Sequence, residues 1–210
     1  VDLTTPGFVP PWMTPPQGPL VAPGSYSVEL MMVTASGAET LGEAQGFQVK
    51  PVPTTPAGTD LVAVASFQNQ AAELMRSISR ASAEIAGVRE RLRHMRAALV
   101  ETPKADPALF GRMDAFEQEL ARLTRSLNGD PTRGRLNEPS VPSIRGRVGQ
   151  VISGHWDTRQ KPTATQRRSI EIAAADFSGV RAALRALVEG ELARLEVELE
   201  AAGAPWTPGR

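Results

Sequence analysis

From Phe67 onward the apolar residues fall at Phe67, Ala71, Leu74, Ile78, Ala81, Ile85, Val88, Leu92, Met95 and Leu99, with gaps that alternate between four and three. That spacing is an unbroken heptad seam. It predicts one helix over residues 60–100, ~60 Å long at 1.5 Å per residue, with Thr59 or Asp60 as N-cap and Pro103 and Pro107 ending it. The pattern returns at Leu109, Met113, Phe116, Leu120, Leu123 and Leu127, predicting a second helix over 107–128 closed by Asn128 and Gly129. A proline- and glycine-containing stretch, 130–142, separates it from a short helix over 143–155 with Ile144, Val148, Val151 and His155 on one side. The last helix, capped by Thr163 or Thr165, runs to about Ala202 along Ile170, Ala173, Phe177, Val180, Leu184 and Leu187, then Val188, Leu192, Leu195 and Leu199. The one-residue slip at 187/188, beside Gly190, predicts a local change of facing or a gentle bend.

Residues 1–58 differ in kind. They hold ten of the 18 prolines, which disfavour helix and interrupt sheet ladders. Residues 5–23 read as extended and irregular, anchored by Phe8 and Trp12. After Pro23 and Gly24, Tyr26, Val28, Leu30 and Met32 alternate with Ser27, Glu29 and Met31, the period of a half-buried strand over 25–33. A second strand, 46–50, offers Phe47 and Val49, and the link 35–44 reads as a hairpin loop. Two strands cannot bury a face without more strands or a covering layer. The remainder is expected from residues upstream of Val1 or from another chain.

The fold class is therefore mainly α with a small β part: residues 1–58 form a Pro-rich extended segment and an incomplete β piece, and residues 59–210 a long antiparallel helical bundle with a Pro-rich tail. Helices two and three together would span ~54 Å, close to the first and fourth. Three legs result, the middle one broken; four helices up-down-up-down are the alternative. Charge favours three. The end of the first helix is basic (Arg89, Arg91, Arg93, Arg96) and the end of the last acidic (Glu189, Glu191, Glu196, Glu198, Glu200), and only the three-leg arrangement brings these ends together.

Composition narrows the chemistry. The 210 residues carry no net charge and no cysteine, which removes disulfides, thiolate metal sites and any global drive toward polyanions. Only three of the 23 basic residues are lysines. The chain opens on Val1 with no basic-then-apolar leader, which suggests a processed product or the tail of something longer. No apolar run approaches the ~20 residues that span a bilayer. His94 and His155 lack a His or Cys partner at helical spacing, so neither signals a metal; a surface or cap role is expected of both. No G-x-S-x-G elbow is present, and the glutamates of 189–200 read as a solvated helix face rather than paired catalytic carboxylates. The densest charge feature is a candidate interaction patch of Arg133, Arg135, Arg145, Arg147, Arg159, Lys161, Arg167 and Arg168 against only Glu138 and Asp157. Without interleaved aromatics beyond Trp156, helix-end or interdomain pairing is the preferred reading over nucleic acid. Trp12, Trp156 and Trp206 read as anchors for irregular segments.

Four segments together carry a family resemblance. They are Gly18-Pro19-Leu20-Val21-Ala22-Pro23-Gly24-Ser25-Tyr26-Ser27-Val28-Glu29-Leu30, Phe47-Gln48-Val49-Lys50, Pro162-Thr163-Ala164-Thr165-Gln166 and Ala204-Pro205-Trp206-Thr207-Pro208-Gly209-Arg210. In this order the chain resembles the C-terminal region of bacterial sortilin-like, neuraminidase-repeat (BNR) β-propeller proteins, often named glycosyl hydrolases. The resemblance implies an upstream propeller, an Ig-like β domain whose strand matches residues 23–30, and a closing helical segment. It also implies export to the periplasm, cell surface or medium, and it transfers no catalytic residue, cofactor or metal. The expected function is a non-catalytic module that packs against its own upstream domains, oligomerises or binds a partner. An accessory segment shaping the cleft of a glycosidase or peptidase is one alternative, and a subunit of a filament or tube another.

Overall fold

The computed structural model describes residues 18–205. The anchors expected at Phe8 and Trp12, and the tail from Trp206, lie outside the described residues. The chain is mainly helical with a small β part, and it packs as two compact units. One comprises residues 18–72 with Ile152–Thr163, the other Glu73–Val151 with residues 164–205.

In the first unit four short strands replace the two expected: β1 (Gly24–Val28), β2 (Met31–Thr34), β3 (Gly37–Thr40) and β4 (Gln45–Val49). β1 pairs antiparallel with β4, Tyr26 opposite Phe47, and β2 pairs with β3, Val33 opposite Ala38. The Leu41 N–H donates to the Leu30 carbonyl at 2.9 Å, joining the two ladders into one hairpin. Four of the ten residues of the link 35–44 are thus strand, contrary to expectation. The turn is only Ala35 and Ser36, closed by the Thr34 hydroxyl on Ser36 and on the Gly37 carbonyl. Gly37 adopts φ 137° there, a left-handed conformation that glycine tolerates. The ladder breaks because one residue, Glu29, faces three, Gly42, Glu43 and Ala44. The surplus cannot pair, as in a β-bulge.

The helices follow the periodicity closely. α1 (Leu61–Val100) begins where the Asp60 carboxylate accepts from the Ala63 N–H at 2.9 Å, satisfying an otherwise orphaned donor. Nine of its ten seam residues are buried, and Leu74 is half-buried. All six stripe residues of α2 (Ala108–Asn128) are buried. Gly129, at φ 91°, ends that helix, its N–H reaching the Arg125 carbonyl at 2.8 Å. Within 130–142 a single turn, α3 (Pro131–Arg135), forms because the Asp130 carboxylate accepts from the Thr132 and Arg133 N–H groups. α4 (Ile144–His155) buries Ile144, Val148, Val151 and His155.

The last helix contains α5 (Ala164–Ala186), a π-helical turn (Leu187–Leu192) and α6 (Ala193–Ala201). The slip at 187/188 falls inside the π turn. A wider turn takes up one extra residue, so that Leu184 before it, Leu192 at its end and Leu195 and Leu199 after it are all buried.

Candidate functional site

The second unit assembles its charges across helices. Arg91 of α1 pairs with Glu196 of α6, and Arg96 of α1 with Asp114 of α2. Arg112 of α2 bonds Glu191 of the π turn at 2.8 Å and Glu198 of α6 at 2.6 Å. The hydrogen bonds to Glu198 and then Glu191 make the Arg112 guanidinium harder to deprotonate than usual. The glutamates of 189–200 are therefore not simply a solvated face, as expected. Glu196 and Glu191 are only 19% and 31% exposed at the side chain, held in ion pairs between helices.

The expected cationic patch is divided. Arg159 and Lys161 belong to the first unit; Arg133, Arg135, Arg145, Arg147, Arg167 and Arg168 belong to the second. Arg133 faces Glu138 at 3.7 Å and Arg168 faces Glu171 at 3.3 Å. Arg145 binds Asn128 of α2 at 2.8 Å, and Ser79 and Ser82 of α1 at 3.3 and 3.2 Å, tying three helices together. It stabilises packing as a multivalent donor. Beside it a cleft of about 460 Å³ opens between α2, α5 and the start of α4, lined by Arg122, Arg125, Ser126, Ser143 and Asp176 among others. Arg122 is already engaged by Glu119 at 2.6 Å, and that pairing holds the Glu119 carboxyl below its usual range.

The two histidines separate. His94 contacts Glu90 at 3.1 Å on the exposed side of α1. His155, expected at a surface or cap, is instead 2% exposed in the core of the first unit. Its ring meets Phe67 edge-on, centroids 5.2 Å apart, and its Nε2 lies 3.0 Å from the Gln160 carbonyl. Fully buried Gln68 completes the arrangement. Its Oε1 accepts from the Leu20 N–H at 2.7 Å, and its Nε2 donates to the His155 carbonyl at 2.9 Å and lies 3.3 Å from His155 Nδ1. With Oε1 already committed to a donor, the amide presents NH₂ to the ring. Nδ1 is then an acceptor and Nε2–H the donor to Gln160. Sequence periodicity passed over Gln68, one position beyond the seam residue Phe67. A polar residue in a run of buried positions was the available signal.

Among the described residues no group of three or more His, Asp or Glu is placed to hold a metal ion, and no helix is long and apolar enough to cross a membrane. The most distinctive surface is apolar. Among the described residues, ten of the fifteen exposed large hydrophobic ones lie from Val21 to Val52, among them Val28, Leu30, Met32, Val33 and Phe47. The strand expected to be half-buried is thus exposed: Leu30 at 68% and Met32 at 42%. Tyr26 and Phe47 stack on each other, centroids 5.9 Å apart, with no layer over them among the described residues. Comparison with protein-family models, with curated proteins and with solved structures finds no match.

Proposed function

We propose that this chain is a non-catalytic structural and interaction module whose β hairpin docks into a β layer supplied by the rest of a larger exported protein of the sortilin-like propeller type. One observation carries the proposal: the concentration of exposed apolar side chains on a four-strand hairpin. Water-exposed apolar area is costly, and isolated two-stranded ladders are marginal. Eight of the ten exposed residues lie within the hairpin, and Val21 and Val52 flank it. In this reading the hairpin supplies closing strands of an Ig-like sheet. The helices form three antiparallel legs, a reading supported by the Arg91–Glu196 and Arg112–Glu198 pairs.

The test compares this chain with the intact native polypeptide by mass and by hydrogen exchange. The expected result is a polypeptide much larger than 22.4 kDa, in which the amides of β1 and β4 exchange far more slowly than in the 210-residue chain. A native polypeptide of only that mass, or equal exchange in both, would overturn the proposal.

A further inference from the structure

The first unit contains a second feature, different in chemistry from the docking surface although Val21 and Val52 belong to both. A cleft of about 170 Å³ opens between the approach to β1, the segment after β4, the start of α1 and the loop after α4. Its walls are mostly apolar, with Leu20, Val49 and Leu61 among them, and its charged lining residues are Lys50 and Arg159. No carboxylate lines it, and among the described residues neither cation has an ion pair or a side-chain hydrogen bond. Thr55 also lines the cleft; its Oγ1 is shut off from solvent and has no hydrogen-bond partner.

We propose that this cleft binds a carboxylate borne on a short aliphatic group. Lys50 and Arg159 supply charge-assisted donors to the carboxylate, and the apolar walls take the aliphatic part. A bare inorganic anion would leave those walls in contact with nothing but its charged oxygens. The volume matches about five or six waters, enough for a branched acid of five carbons. That chemistry has two sources, a free short-chain acid or the C-terminal carboxylate of a peptide ending in an aliphatic residue.

The experiment is an amide-resolved NMR titration of the full 210-residue chain with 3-methylbutanoate, with N-acetyl-glycyl-valine, and with 3-methylbutanamide as the uncharged control. Saturable shifts centred on Val49, Val52 and Thr55 with either carboxylate, and none with the amide, are expected. Binding of the free acid alone identifies a small-molecule site, and binding of the peptide alone a chain-terminus socket. Lys50→Met and Arg159→Met, both at exposed positions and compatible with folding, should each weaken binding about five- to tenfold. Absence of shifts with both carboxylates at 50-fold excess over millimolar protein (roughly 50 mM) would overturn the proposal. So would equal shifts with the amide, or affinities unchanged in both variants.

Discussion

Gln68 has three polar partners and no exposed surface, so its amide decides how the start of the first unit is held. Replacing it with leucine keeps the volume but strands the Leu20 N–H and the donor-accepting carbonyl of His155. Buried orphans of this kind cost about 1–3 kcal/mol. Gln68→Leu is expected to lower stability by that amount in urea denaturation and to speed exchange of the Leu20 amide. Unchanged exchange would show that Leu20 does not depend on this contact. Asp130 acts on a smaller scale. Hydrogen bonds from the Thr132 and then the Arg133 N–H hold its carboxyl below the usual value of 3.8. A depressed carboxyl contributes stability above the unfolded-state value, and that contribution is lost as pH falls through the lower folded-state one. The amides of Thr132 and Arg133 should therefore remain protected at pH 5 and lose protection on acidification below about 3.8. In Asp130→Ala they should be unprotected throughout.

At the scale of elements, the π turn makes a specific prediction. The stripe on the last helix is one residue out of phase across 187/188, and the wide turn absorbs that residue so that both halves stay buried. Deleting Gly190 removes the surplus. The turn should become α-helical with Leu192, Leu195 and Leu199 in phase, and stability should stay within about 1 kcal/mol of the parent, because a weak helix former is lost as well. Deleting Ala175, by contrast, rotates Ile170 and Ala173 by one residue, about 100°, relative to Phe177, Val180 and Leu184. That change should cost several kcal/mol, as other core disruptions do. Thermal melts of the two deletions decide the matter; equal losses would mean that the π turn has a role of its own. The hairpin shows the opposite side of element formation. Alternation located its strands, but the unequal count of one residue against three at 29 and 42–44 broke the ladder, a mismatch visible only once the pairing partner of each strand was set.

Across the second unit, the ion pairs of Arg91 and Arg112 with the last helix connect positions 79 to 105 residues apart in sequence. Each exposed or half-exposed pair contributes about 1 kcal/mol or less. Reversing Glu191 and Glu198 to arginine places two cations beside Arg112, and a loss of about 1–2 kcal/mol at low salt is expected, shrinking as salt screens the repulsion. No loss at low salt would argue against the three-leg arrangement. Sequence alone determined which side chains of the helices turn inward. That follows from a 3.6-residue period acting on each element separately, so the stripes of α2, α4 and α5 could be read residue by residue. It also marked the slip at 187/188, where the π turn lies, and gave Asp60 as one of two candidate caps, both local effects. Tertiary structure decided what is not periodic. Gln68 and His155 meet across 87 residues, Arg112 gathers two glutamates, Lys50 and Arg159 come to line one cleft, and the hairpin's apolar side chains stay exposed to solvent. Each of these depends on which elements lie side by side, a choice set by the packing of the whole chain rather than by any window of its sequence.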